Sequence, residues 1–171
     1  MSRPISALEG LKIIDPNALQ RVREGFLKCS DSNPEEFDPE DVQEIRSNDW
    51  QTQRFILESK YDEKKALELM ITAFKWRHVN RVRHIRATDF PDIFYKTGYM
   101  SQTGRDLNGA KVLYFRANIH RKTADWKETM NRFFLFLIEQ VDANNDGRGV
   151  ALLMDCTGIG YANLDLDMLR F

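Results

Sequence analysis

Two short motifs in the sequence carry residue types that could do chemistry. Residues 142–147 (DANNDG) place oxygen ligands and a glycine at positions 1, 3, 5 and 6 of a calcium-binding loop. Position 12 of such a loop should be a bidentate Glu, but it is Leu153 in a strand-like run. Residues 158–160 (GIG) follow that run, and Asn163 stands where a dinucleotide-binding loop needs its third glycine. We therefore interpret the first motif as a polar loop and the second as a turn.

The sequence predicts no enzyme, cofactor or metal site. Its three histidines, His78, His84 and His120, show no ligand spacing with one another or with a cysteine. A Gly-x-Ser-x-Gly elbow, a phosphate-binding loop and a paired-carboxylate arrangement are also missing from the sequence. A net charge of −1 gives no general attraction to nucleic acid.

Charge is unevenly distributed along the chain. Residues 31–49 hold eight acids against one base, whereas residues 75–86 hold five bases and no acid. One hypothesis is that these bases dock the protein on an anionic membrane, where each is worth roughly 1 kcal/mol. The five are Lys75, Arg77, Arg81, Arg83 and Arg86. The alternative interpretation is a solvated face whose cations complement the dipole of the preceding helix.

The first half of the chain reads as helices. Four acidic residues are predicted to cap them: Asp15, Asp38, Asp49 and Asp62. A proline follows the first two, at the first helical position, where its missing N–H costs nothing. Leu19, Val22 and Phe26 form one apolar stripe at helical spacing. The last helix should end near Trp76, so residues up to about 80 form a small all-helical unit.

The second half reads as strands around one helix. Residues 99–102 and 111–117 look like strands, and an Asn-Gly step between them indicates a turn. Residues 124–141 form a strongly apolar helix, and residues 149–155 a continuous apolar strand of the kind that is covered on both faces. Strand, helix and strand at this spacing predict a βαβ unit with a parallel or mixed sheet. The fold class is therefore mixed α/β.

The sheet should be incomplete in this chain. Two or three strands cannot bury both faces of a sheet, and they leave an edge unpaired. A last helix is expected over residues 164–171, with room for barely two turns. We therefore expect a truncated α/β domain with exposed apolar surface at Leu152, Met154 and Phe134.

Several segments resemble the CRAL-TRIO lipid-binding domain family, and their order and spacing carry the resemblance. Residues 73–77 (AFKWR) resemble the end of its N-terminal helical part, and residues 106–116 (DLNGAKVLYFR) and 149–158 (GVALLMDCTG) its first core strands. Residues 37–42 (FDPEDV) and 166–171 (LDMLRF) are most similar to motile sperm domain-containing proteins.

The resemblance covers residues 37–171 and implies three parts. These are an N-terminal helical extension (1–36), a CRAL-TRIO helical subdomain (37–80) and a partial lipid-binding lobe (81–171). Ala110-Lys111 replaces the family's usual Arg-Pro before the first core strand. The headgroup-contacting residues and the gate helix of the family lie mostly beyond residue 171.

The resemblance implies a domain that shields one small hydrophobic lipid, such as a phosphoinositide, phosphatidylcholine, tocopherol or retinaldehyde. By analogy, four residues are candidates for lining the pocket: Phe115, Phe133, Phe134 and Met154. The alternative interpretation is that they are core residues. The alternative function is a non-catalytic protein-interaction or membrane-associated adaptor.

The expected location is the cytoplasm, with peripheral contact to the endoplasmic reticulum or other membranes. The sequence begins without an apolar leader segment, and Cys29 and Cys156 are read as reduced thiols. Residues 35–38 (EEFD) faintly resemble acidic-aromatic motifs read by endoplasmic-reticulum tethers. Glu36 stands in place of their second aromatic residue, and Asp38 already serves as a helix start.

Overall fold

Four helices fold the first half of the chain, and most of their starts follow the predicted capping pattern. They are α1 (Pro16–Ser32), α2 (Pro39–Ser47), α3 (Trp50–Glu58) and α4 (Glu63–Val79). The carboxylates of Asp15, Asp38 and Asp62 each accept a hydrogen bond from a backbone N–H of the following first turn. Such caps satisfy N–H groups that have no partner inside the helix, and these three predictions are confirmed.

The predicted cap of α3 is wrong. Asp49 precedes the helix, but its side chain makes no capping hydrogen bond and forms an ion pair with Arg23 of α1. The side-chain oxygen of Asn48 accepts the N–H of Trp50 instead, at 3.0 Å. The Asp49 carboxylate pairs with a cation from another helix, so the side-chain amide of Asn48 caps α3 instead. The last helix, α4, continues to Val79, three residues past its predicted end at Trp76.

The computed structural model describes residues 14–120, 124–143 and 149–163. Two compact units make up these residues, and the division falls between His84 and Ile85. We call the first the helical unit and the second the sheet unit. The predicted helix over 164–171 and most of the calcium-loop-like segment lie outside the described residues. The predicted boundaries at residues 36 and 80 stay predictions.

The core of the helical unit is built around the predicted stripe of α1. Leu19, Val22 and Phe26 are all buried, and the Phe26 side chain is fully enclosed. The ring of Phe26 meets the rings of Phe37 and Phe74 edge-on, each at a centroid distance of 5.3 Å. Edge-to-face packing of this kind adds to the stabilisation from burial.

The sheet unit contains a three-stranded mixed sheet and one long helix. Its elements are α5 (Asp92–Lys96), β1 (Met100–Arg105), β2 (Lys111–Arg116), α6 (Ala124–Asp142) and β3 (Val150–Asp155). The strand order is β1-β2-β3, with an antiparallel first pair and a parallel second pair. The predicted mixed α/β class and the βαβ unit are confirmed. Neither α5 nor the short 3₁₀ turns at Val82–His84 and Ala87–Asp89 was predicted.

The hairpin between β1 and β2 closes at the predicted Asn-Gly step. The carboxylate of Asp106 accepts the N–H groups of Asn108 and Ala110 at 2.9 and 2.8 Å. Gly109 has a φ of +84°, a conformation that costs glycine little. The register of β1 against β2 shifts between Gln102 and Arg105, as it does at a β-bulge.

Candidate functional site

Two of the four predicted pocket residues lie in the packed core between α6 and the sheet. Phe115 is 6% exposed and Phe133 is fully buried. The ring of Phe133 lies 5.1 Å from the rings of Phe90 and Phe94, and the ring of Phe115 lies 5.1 Å from that of Tyr99. These two side chains therefore hold the helix on the sheet.

The other two predicted pocket residues lie nearer to solvent. Phe134 is partly buried against the same core, and Met154 is 39% exposed. The parallel register places Leu152 beside Leu113 and Met154 beside Phe115. Neighbours in such a register point to the same side of the sheet, so Leu152 and Met154 lie on the face that α6 covers over β2.

Strand β3 exposes apolar side chains on both faces. Leu152 and Met154 are 50% and 39% exposed on the α6 side, and Leu153 is 54% exposed on the other side. The sequence predicted that this strand is covered on both faces, and among the described residues that prediction is wrong. Among the described residues, β3 pairs along one edge only, with β2. The predicted apolar exposure of Leu152 and Met154 is thus confirmed, whereas Phe134 is largely covered.

A polar pair that the sequence analysis missed lies on the face away from α6. The hydroxyl of Tyr114 donates a 2.6 Å hydrogen bond to the carboxylate of Asp155, and the backbone N–H of Thr157 donates a second at 2.9 Å. These bonds favour the ionised carboxylate and lower the pKa of Asp155 to about 2. The same bond raises the pKa of Tyr114. The alternation of side chains along β2 could have predicted the position of Tyr114. Leu113 and Phe115 point to one face of the sheet, so Tyr114 between them points to the other face.

Three of the five predicted membrane-docking cations form ion pairs inside the helical unit. The guanidinium of Arg77 donates two hydrogen bonds, of 2.9 and 3.0 Å, to the two oxygens of the buried Asp41 carboxylate. Arg83 Nε reaches the same carboxylate at 2.5 Å, and Lys75 pairs with Glu36. The acidic and basic stretches of the sequence therefore neutralise each other in part.

A second acid extends this network. Arg83 also pairs with Glu44, whose other oxygen accepts a 2.5 Å hydrogen bond from Gln51. Burial opposes the charge on Arg83, but the bonds and charges of Glu44 and Asp41 outweigh it and raise its pKa. The network links α2, α3 and the 3₁₀ turn after α4 through charge-assisted bonds.

The two remaining cations of the basic stretch are exposed. Arg81 lies just after α4 with a φ of +52°. Arg86 begins the turn before α5, where its backbone N–H donates to Asp89 at 2.9 Å and its guanidinium to the carbonyl of Ile85 at 3.2 Å. Arg81 therefore exposes its charge on the helical unit, and Arg86 exposes its charge on the sheet unit.

The acidic-aromatic segment at residues 35–38 has a structural role. Phe37 is 2% exposed and packs on Phe26, Glu36 pairs with Lys75, and Asp38 caps α2. In this conformation the aromatic side chain that a tether would read is inside the core.

The described residues, 14–120, 124–143 and 149–163, bear on membrane crossing and metal binding. No helix within these ranges combines the length and hydrophobicity that a membrane crossing requires. The same ranges contain no group of three or more His, Cys, Asp or Glu side chains placed to hold a metal ion.

Residues 95–171 match the family model of the CRAL/TRIO domain. The matched segment begins in α5 and includes all three strands and α6. Domains of this family are lipid carriers rather than catalysts. The closer similarity to motile sperm domain-containing proteins stays a prediction. Together with the mixed sheet, the match identifies residues 95–171 as part of a CRAL/TRIO domain, a family of lipid-binding domains.

Proposed function

We propose that the sheet unit shields one hydrophobic lipid, whose tail lies against β3 on the side of α6. The observation that carries this proposal is the exposure of Leu152 and Met154, at 50% and 39%, within the segment that matches a lipid-carrier family. Covering a half-exposed side chain of this size stabilises by about 1 kcal/mol. A single lipid tail along the strand would cover both.

The four candidate residues take two different roles in this proposal. Met154 contacts the tail through its exposed surface, and Phe134, which is only partly buried, contacts it from α6. Phe115 and Phe133 form a fixed floor behind them, because both are already packed with other aromatic rings. A floor of this kind holds the site open, so little ordering is needed when the lipid binds.

Lipid retention during purification tests the proposal. The protein is purified from cells under native conditions, and bound lipid is extracted and quantified by mass spectrometry. We expect close to one lipid per chain for the unaltered protein and a loss of most of it for Met154→Asp. Leu107→Asp is the matched control, because it places the same acid at a 91% exposed apolar position in the hairpin turn. Equal lipid content in the two variants would contradict the proposed site.

The alternative function is a non-catalytic interaction or adaptor module, and among the described residues the edge of β3 away from β2 has no paired strand. An edge strand presents unpaired backbone groups to which a partner's strand can add. A monodisperse, lipid-free protein in the same experiment would support this function and argue against lipid shielding.

Peripheral membrane contact is a further part of the proposal. Lys75, Arg77 and Arg83 are offset by nearby acids, so we assign most of the attraction to an anionic surface to the exposed Arg81. Attraction of this kind acts over roughly 8–10 Å at physiological salt and weakens as salt rises. The protein would then work in the cytoplasm at a membrane surface.

A further inference from the structure

A cavity of about 250 Å³ lies between α5 and the start of α6 in the sheet unit. Its walls include Ile93 and Phe94 of α5, Trp126 and Met130 of α6, and the pair Tyr99 and His120. The strand β3 contributes none of the described residues that line it. It is therefore separate from the surface proposed above for the lipid tail.

The cavity has mainly apolar walls, with Thr97 and one buried polar pair among its described lining residues. The hydroxyl of Tyr99 and Nδ1 of His120 are hydrogen-bonded at 2.7 Å, and the two residues are 4% and 3% exposed. The described lining residues include no Lys, Arg, Asp or Glu. Moving a charged ligand onto mainly apolar walls costs its hydration, so the described lining suits a neutral molecule.

Aromatic rings form half of the described walls. Trp126 and Phe94 lie 5.5 Å apart between ring centroids, and the rings of Tyr99 and His120 stack at 5.9 Å. Ile93 and Trp126 are 53% and 42% exposed, so they form the entrance. Ring edges and faces at these spacings suit another aromatic ring, which can pack edge-on or offset.

The size of the cavity limits the ligand. An apolar cavity of roughly 150 Å³ holds benzene, and sites for drug-sized ligands run from about 300 to 1,000 Å³. A volume of about 250 Å³ lies between these values, so the part of a ligand that the walls enclose is about the size of one ring. We propose that this cavity binds one neutral, mainly apolar small molecule of a single aromatic ring with at most one hydroxyl group.

Phenol is the probe, and the three tryptophans report on it separately. The indole N–H signals of ¹⁵N-labelled full-length protein are followed as phenol is added. Trp126 lines the cavity, whereas Trp50 and Trp76 lie in the helical unit and serve as internal references. We expect a saturable 1:1 shift of the Trp126 signal, and little response from the other two. Benzoate, with its charge, should bind at least tenfold more weakly.

Two matched variants complete the test. Ile93→Phe narrows the entrance from an exposed position and should weaken phenol binding at least fivefold. Val79→Phe, a similar enlargement at a 77% exposed position in the helical unit, should leave it unchanged. Equal affinity in Ile93→Phe and the unaltered protein would overturn the assignment. So would a Trp126 shift that grows linearly without saturation, in step with Trp50 and Trp76. Neither result depends on whether β3 holds a lipid.

Discussion

The buried carboxylate of Asp41 is the point where the helical unit is most sensitive to loss of a single charge. Asp41 is 1% exposed and accepts hydrogen bonds from both Arg77 and Arg83. Replacing it with Asn keeps the size of the side chain but removes the charge. The amide also presents N–H groups where two guanidinium groups already donate, so at least one of the three hydrogen bonds to Asp41 is lost.

The cost can be worked from the exposure of the partners. Removing one member of a buried ion pair costs about 3–5 kcal/mol, because the remaining charge stays desolvated. The side chains of Arg77 and Arg83 are 13% and 26% exposed, so water can screen part of the loss. We therefore expect Asp41→Asn to lower the free energy of unfolding of the helical unit by about 3 kcal/mol.

Urea unfolding followed by tryptophan fluorescence measures this change. In a Trp126→Phe background the signal comes from Trp50 and Trp76, which both lie in the helical unit. Asp31→Asn is the matched control, because its 3.0 Å pair with Arg46 is 65% and 43% exposed and should change stability by less than about 0.5 kcal/mol. If the two variants unfold at the same urea concentration, the Asp41 network is not a stabilising charge cluster and the reasoning fails.

Two further predictions concern the sheet unit and the membrane. Tyr114→Phe should raise the pKa of Asp155 from about 2 toward its ordinary value of 3.8. The ionised carboxylate stabilises the native state above pH 3.8, and this contribution is lost as the pH falls through about 2. An NMR titration of the Asp155 carboxyl carbon checks this, and an unchanged pKa would show that Thr157 sets it instead. Arg81→Glu should weaken flotation with phosphatidylserine-containing vesicles about fivefold or more at low salt, since one cation is worth roughly 1 kcal/mol. Lys28→Glu on α1 should not, and equal losses would point to net charge rather than to the basic stretch.

The helix starts show what short-range rules can predict. Asp15, Asp38 and Asp62 act on backbone N–H groups two or three residues away, so the sequence alone contains both partners of each bond. Asp49 has the same residue type in the same kind of position. Its partner, Arg23, lies 26 residues earlier in another helix, and no local pattern reveals that contact.

The sheet unit also contains features that the sequence predicted and features that it did not. The apolar helix between two strands predicted the βαβ unit, because a parallel pair needs a crossover of that length. The segment from Val82 to Lys96 was not predicted, because turns of three residues and a five-residue helix are too short to show a periodic pattern.

Residue types and spacing by themselves determined the mixed α/β class, the family resemblance and the set of apolar residues around α6 and β3. Only the tertiary structure decided which of those residues are already packed and which are open. Phe115 and Phe133 are enclosed by rings that come from other elements, whereas Leu152 and Met154 stay accessible at the edge of the sheet. The basic stretch was visible as composition, but its pairing with Asp41 and Glu44 required the folded helices. Burial and charge pairing depend on residues that are distant in sequence, and the chain specifies them only through its packing.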